Sequence, residues 1–257
     1  MRPNLFIIGG QKCGTSALAH FIAQHPDICL AQGKEAHILD HPEYLNKEGQ
    51  VCVSDAELDQ AYAEKFTHAN GERYLCDATP IYAYWNQVLP KLVEYQPHAK
   101  VVFMLRDPVE RAISQYTMES KRGFESESML KAFLKESSRL QAAEHDYSWQ
   151  SPLRTHSYLD RGHFSRQLVE IERHFGKHNV LVMHNDELRY HHQQAMQRIF
   201  DFLQIESVAI EAESVFAGQY TSPSIGERLA KLYAQAKLHK EQKFVRQYAT
   251  KLPSKSE

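Results

Sequence analysis

Leu5-Phe6-Ile7-Ile8-Gly9-Gly10-Gln11-Lys12-Cys13-Gly14-Thr15-Ser16 is the stretch that decides the fold. Leu5 to Ile8 is an unbroken apolar run that stops at two glycines, the pattern of a strand buried on both faces of a parallel sheet. Leu18, Phe21 and Ile22 then recur at helical spacing, Pro26 follows, and Thr15 or Ser16 is the expected N-cap. A strand, a glycine loop and a helix N-terminus in that order make an anion site. Backbone N–H groups converge there, and the helix dipole adds partial positive charge. Lys12 supplies a full charge, Thr15 and Ser16 supply hydroxyl donors, and Gln11, Cys13 and Gly14 complete the loop.

The residue order separates this loop from that of nucleotide kinases, G-x-x-x-x-G-K-[ST], in which the lysine follows the second glycine. Here Lys12 precedes Gly14, and Thr15 follows it directly. No Asp suited to magnesium follows a downstream apolar strand. A plain tight turn would need the glycines but would leave the lysine and both hydroxyls idle. Cys13 reads as a small loop residue and not as a nucleophile.

A second unit of the same kind begins at Lys100. Val101 to Leu105 is a continuous strand, Asp107 is the expected N-cap, and Pro108 takes the first helical position. Val109, Ala112, Ile113 and Tyr116 follow as a core-facing stripe. Arg106 falls at the strand end, where α/β proteins bind ligands, and Ser114 lies two helical turns on. Together they suit a phosphate, the guanidinium by its fork and the hydroxyl as donor. A surface arginine and an unrelated helix serine are the competing reading.

A third unit runs through the helical stripe Phe164, Leu168, Ile171 and Phe175, the stop at Gly176, a strand over Val180 to Met183, and a helix marked by Met196, Ile199, Phe200 and Leu203. Alternating strands and helices predict an α/β fold: a P-loop-like three-layer α/β/α arrangement around a central parallel sheet. The expectation is one domain over 1–257. Residues 123–161 form a polar, variable insertion with a helix near Met129 to Leu140, and 226–257 form a helical, Lys- and Arg-rich tail that reads as a solvated amphipathic helix.

With 257 residues, 42% of them hydrophobic and 24% charged, the chain is long enough for one large globular core. A net charge of −2 predicts no nucleic-acid partner, so any basic site must be local. Four cysteines without a C-x-x-C pair fit reduced thiols. The absence of signal-peptide architecture and of a span-length apolar stretch predicts a cytoplasmic protein without a membrane span, or a catalytic domain of a longer chain.

These blocks resemble the PAPS-dependent sulfotransferase superfamily, most closely its heparan sulfate and glycan-modifying type and the bacterial relatives of that type. Phe6 to Ser16 looks like the 5′-phosphosulfate loop, and Lys100 to Tyr116, KVVFMLRDPVERAISQY, looks like the 3′-phosphate block. Lys34-Glu35-Ala36-His37-Ile38-Leu39-Asp40 looks like the K-E-x-H-x-x-D segment that carries the base in glycan sulfotransferases. Weaker likeness covers Thr79 to Tyr82 and Arg161 to Leu203. Relatives often carry a lysine where this chain has Ala78, and a basic loop where Gly218 to Pro223 stands without a basic residue.

The resemblance implies transfer of a sulfuryl group from 3′-phosphoadenosine-5′-phosphosulfate (PAPS) to a hydroxyl or amine, with PAP as the product and no metal required. It puts Glu35 at the general base and Lys12 on the leaving phosphate oxygen. Gln11 to Ser16, Arg106 and Ser114 would bind the nucleotide; Lys34, His37, Asp40 and Tyr82 would face the acceptor, a carbohydrate or a small molecule. The acceptor's identity and the oligomeric state stay open at this level. A P-loop kinase or NTPase, and a non-catalytic PAP-binding module, are the competing functions. His37 and His41 have metal-face spacing, but they lack the glutamate of a zinc helix and Pro42 limits any helix there. His191-His192 reads as a solvated helix start. Trp85, Tyr82, Trp149 and Tyr147 are candidate cleft walls or sugar platforms, with ordinary packing as the alternative.

Overall fold

The computed structural model describes residues 1–212 and 224–249. Gly218 to Pro223, the stretch expected to stand in place of a basic loop, lies outside the described residues. Five strands, β1 (Leu5–Gly9), β2 (Ile28–Leu30), β3 (Tyr74–Asp77), β4 (Lys100–Leu105) and β5 (Val180–His184), form one all-parallel sheet in the order β2-β3-β1-β4-β5. β1 is buried along its whole length, as its unbroken apolar run requires. β2 and β3 are short and carry no long apolar run, so periodicity does not announce them.

The helices are α1 (Thr15–Ile22), α2 (Asp55–Lys65), α3 (Leu89–Tyr95), α4 (Pro108–Lys121), α5 (Met129–Ala142), α6 (Pro152–Thr155), α7 (Phe164–Phe175), α8 (Asn185–Tyr190), α9 (His192–Leu203) and α10 (Ile225–Ala249). Each expected stripe faces inward: Phe164, Leu168, Ile171 and Phe175 of α7 are buried, as are Met196, Ile199, Phe200 and Leu203 of α9. The Asp107 carboxylate caps α4 by accepting from the amides of Val109 and Glu110.

Three local expectations need correction. The N-cap of α1 is Gly14, at φ 92, with Thr15 as the first helical residue. That backbone region suits glycine, which has no Cβ to clash. His192 does start α9 but is buried, with Nε2 bonded to the Ile210 carbonyl, so it is not solvated. The tail helix α10 is not merely solvated either. Ala230, Ala234, Leu238 and Val245 are buried, and Gln242 donates to Asp107 at 2.7 Å.

The chain leaves β1 toward one side of the sheet and β4 toward the other. The carboxyl ends of these neighbours therefore flank a topological switch point, where open α/β sheets bind ligands. Both anion-loop candidates sit there.

Candidate active site

The loop from Gly9 to Ser16 and the end of β4 are tied together by backbone. Gly10 N–H donates to the Met104 carbonyl at 2.7 Å, and Arg106 Nη1 donates to the Lys12 carbonyl at 3.1 Å. Gly10 cannot be larger, because a Cβ there would lie 2.7 Å from the Phe164 ring. No side chain caps α1 and its first turn holds no acidic residue, so its amides face the loop uncompensated.

Lys12 is half-buried and takes φ 67. Burial, then the charges of Arg122 and Arg106, push its ammonium below its ordinary range. An anion placed in the loop would relieve that excess of positive charge. Ser114 is half-buried on α4. Cys13 is fully buried, and burial pushes its thiol up to about 12, which keeps it a neutral packing residue.

The loop from Ala31 to His41 brings a second group of residues to the same place. Lys34 Nζ donates to Ser16 Oγ at 2.9 Å and to Glu35 Oε1 at 2.6 Å. One ammonium thus bridges the N-terminal turn of α1 and the candidate base. His37 completes a two-ended contact, with Nε2 at 3.1 Å from Glu35 Oε2 and Nδ1 at 2.9 Å from Asp40 Oδ2. Burial pushes the Glu35 carboxyl up, but the hydrogen bond from His37 and the charge of Lys34 outweigh it and hold it at about 2. Burial pushes His37 down, yet its hydrogen bonds to Asp40 and Glu35 win and raise it to about 9. Glu35 is therefore ionised and His37 charged at neutral pH.

Lys12, Lys34 and His37 are three of the four non-glycine residues with positive φ among the described residues. Such backbone costs roughly 1–3 kcal/mol each and persists where surrounding contacts over-determine it. Those contacts are visible. Buried Asp77, at the end of β3, accepts from Thr79 Oγ1 at 2.6 Å, from Tyr62 and Tyr82 hydroxyls at 3.1 Å, and from Ala36 N–H at 3.2 Å. The Tyr82 hydroxyl in turn accepts from the amides of Ile38 and Leu39, each at 3.2 Å. Ala78 is fully buried and donates its N–H to the Lys34 carbonyl.

Two expected acceptor contacts are thereby moved into the scaffold. Tyr82 and Asp40 have no exposed surface, Tyr82 bracing the loop and Asp40 pairing with His37 and Arg154. Lys34 and His37 keep partial exposure beside Glu35. Of the four aromatic candidates, Trp85 is buried against Tyr147, while Trp149 is 46% exposed and meets His37 and His41 edge-on.

Sequence reasoning missed the arginines of the 123–161 segment. Buried Arg161 donates to Gln11 Oε1, to the Leu153 and Arg154 carbonyls and to Ser157 Oγ, so it props the first loop from below. Burial depresses it to about 10, and no carboxylate pairs with it among the described residues. Arg111 of α4 is likewise fully buried, donating to Gln115 Oε1 and to the Tyr158 carbonyl, and burial pushes it down to about 10. The available signal was two arginines seven residues apart, Arg154 and Arg161, beyond the expected helix of that segment.

A parallel α/β sheet with two candidate anion loops at its switch point, and a carboxylate bridged to one of them by lysine, is an arrangement suited to group transfer from an anionic donor. The chain belongs to the sulfotransferase domain family, whose model matches residues 2–249. It is 27% identical over 219 residues to heparan sulfate glucosamine 3-O-sulfotransferase 3B1 of Mus musculus, covering 83% of this chain and 49% of that protein. It is 32% identical over 114 residues to the membrane-associated sulfotransferase kil1 of Dictyostelium discoideum, 44% of this chain and 22% of the other. The chain thus spans half or less of the length of these relatives. Among solved structures, a sulfotransferase from Alicyclobacillus acidocaldarius superposes with a TM-score of 0.69 at 23% identity, covering 96% of both chains. A mouse sulfotransferase complexed with PAP superposes at 0.54 and 15% identity, covering 97% of this chain and 89% of that one. These likenesses establish the P-loop-like α/β/α fold. Among the described residues no helix is long and apolar enough to cross a membrane.

Proposed function

We propose that this chain transfers a sulfuryl group from PAPS to a hydroxyl or amine of an acceptor, with a carbohydrate favoured, by in-line displacement. The observation that carries the reading is the Lys34 bridge: one side chain contacts both Ser16, at the first turn of α1, and Glu35. It brings a nucleophile-activating carboxylate to the edge of an anion loop, which is the geometry that displacement at a bound sulfonate requires.

The residues present fit a doubly phosphorylated nucleotide. The uncapped turn of α1 with Lys12 suits the 5′-phosphosulfate, and Arg106 with Ser114 suits the 3′-phosphate. Lys12 and the amides of Gly14 to Ser16 stabilise the charge that grows on the leaving phosphate oxygen. Glu35 takes the acceptor proton. At about 2 its carboxyl is a weak base while Lys34 and His37 both contact it. A bound sulfonate competes for Lys34, and loss of that contact moves Glu35 upward toward useful basicity.

Transfer to sugar is favoured by the heparan sulfate relatives and by the exposed Trp149 beside His37. Family membership and the position of Lys12 set the kinase reading behind this one. The test is an acceptor screen with labelled PAPS beside calorimetric titration with PAP. Tight PAP binding and label transfer to a saccharide are expected. Magnesium-dependent phosphoryl transfer from ATP without PAP binding would overturn the reading, and PAP binding without transfer to any acceptor would leave only a binding module.

A further inference from the structure

Glu35, His37 and Asp40 form a line of charges that does not end at Asp40. Arg154, from α6 in the segment expected to be a variable insertion, donates Nη1 to Asp40 Oδ2 and Nη2 to the Asp40 carbonyl, while Nε donates to the Ser148 carbonyl at 3.1 Å. Its guanidinium stacks 4.1 Å from the Trp85 ring centre and 4.5 Å from that of Trp149. Arg154 is 8% exposed and Asp40 not at all. Signs alternate along the line: Lys34 positive, Glu35 negative, His37 positive, Asp40 negative, Arg154 positive.

We propose that Arg154 is a positioning residue for the transfer reaction: its fork on Asp40 fixes the His37 ring between Asp40 and Glu35 and keeps that ring protonated. The inference rests on the proposed role of Glu35 for its catalytic consequence, though not for its structural one.

The physics is that of a buried ion line. A carboxylate with no exposed surface is strongly disfavoured unless it is paired and hydrogen-bonded. Burial pushes Asp40 up, and His37 with Arg154 overcomes it and holds the carboxyl below its ordinary range. Without Arg154, Asp40 keeps only His37 to offset its burial, so its carboxyl moves up and its hold on the His37 ring, the strongest of the contacts that raise His37, weakens. The ring also loses its anchor. His37 sits at φ 52 and must present one nitrogen to each carboxylate, so movement of Asp40 rotates Nε2 away from Glu35.

The other groups facing this line are few. Asp77 reaches the same loop from β3 through Ala36 and Thr79, and His41 stands across Trp149. Asp77 is raised by burial, and its oxygens already accept from a threonine, two tyrosines and an amide, so it does not replace Asp40. Lysine in place of Arg154 keeps the charge but loses the fork and the aromatic stacking.

The test compares Arg154→Met, Arg154→Lys and Asp40→Asn in the full chain. For Arg154→Met, kcat falls about 10- to 100-fold at pH 7.5, because a Glu35 carboxylate no longer held by the His37 ring is misplaced for the acceptor and that loss outweighs the basicity it gains, while KM for PAPS stays within roughly threefold. The alkaline limb of the pH profile, which follows His37 at about 9 in the parent protein, moves down toward neutrality. Arg154→Lys restores part of the limb position, and Asp40→Asn reproduces the Arg154→Met shift. NMR titration of His37, assigned with His37→Gln, follows the same shift without an acceptor or PAPS. A folded Arg154→Met protein, judged by PAP titration and melting, with the parental His37 titration overturns the proposal. If Arg154→Met does not fold, an unshifted titration in Asp40→Asn decides against it. Should no labelled PAPS transfer occur even in the parent protein, the functional reading fails while the His37 titration still decides the role of Arg154.

Discussion

Replacing Glu35 by glutamine separates binding from chemistry. The substitution keeps the shape and removes the charge. The Glu35 carboxyl is held at about 2 against an ordinary 4.5. At about 1.36 kcal/mol per pKa unit, that depression corresponds to roughly 3 kcal/mol in favour of the ionised form. Its sign follows from a lowered carboxyl pKa: the stabilisation is complete above pH 4.5 and is lost as pH falls through about 2. At neutral pH glutamine forgoes all of it and keeps one acceptor oxygen for Lys34 or His37, its NH2 facing the other donor. The net loss in folding stability is about 1–2 kcal/mol, read as a fall in Tm of a few degrees.

Turnover falls much further. Removal of a general base costs about 10²- to 10⁴-fold, equivalent to roughly 3–5 kcal/mol of barrier. PAP affinity stays level or tightens slightly, because the loop and Arg106 are untouched and Lys34 is released from its carboxylate. Calorimetric PAP titration and labelled PAPS transfer measure the two quantities on one preparation. Turnover within threefold of the parent, at unchanged PAP affinity, would refute the base assignment.

Lys12→Ala and Arg106→Ala each weaken PAP binding by about 10-fold or more. Because Arg106 also donates to the Lys12 carbonyl, the double variant loses less than the sum in a titration cycle. Arg161→Met leaves buried carbonyls at Leu153 and Arg154 and the Gln11 amide oxygen without their donor. It lowers stability by about 2–4 kcal/mol and weakens PAP binding, as melting and titration will report; parental values for both would contradict its supporting role. Tyr82→Phe removes the acceptor for two loop amides. It costs about 1–3 kcal/mol and lowers turnover more than PAP affinity, and an unchanged turnover would show that the loop holds its shape without it.

The two candidate anion loops were legible as strand–loop–helix units because every signal they carry is local. An apolar run, a glycine pair, a capping Asp107 and a Pro108 are fixed by neighbours in sequence, and the strands and helices formed where those signals stand. The short strands β2 and β3 were not legible, since runs of three and four residues are too short to show a periodicity. Tyr82 and Asp40 were identified by motif, but whether a motif side chain faces an acceptor or the scaffold depends on what packs over it.

From the sequence alone came the α/β class, the strand–glycine loop–helix order from Leu5 to Ile22, and the grouping of Lys34, Glu35, His37 and Asp40. Only the tertiary structure decided that Lys34 joins Ser16 to Glu35, that Arg161 meets Gln11 across 150 residues, and that Arg154 meets Asp40 across 114. The physical reason is that helix and strand formation is governed by contacts a few residues apart. A buried charge, by contrast, is tolerated only where distant chain segments deliver its partner, and that delivery is set by the path of the chain around the sheet.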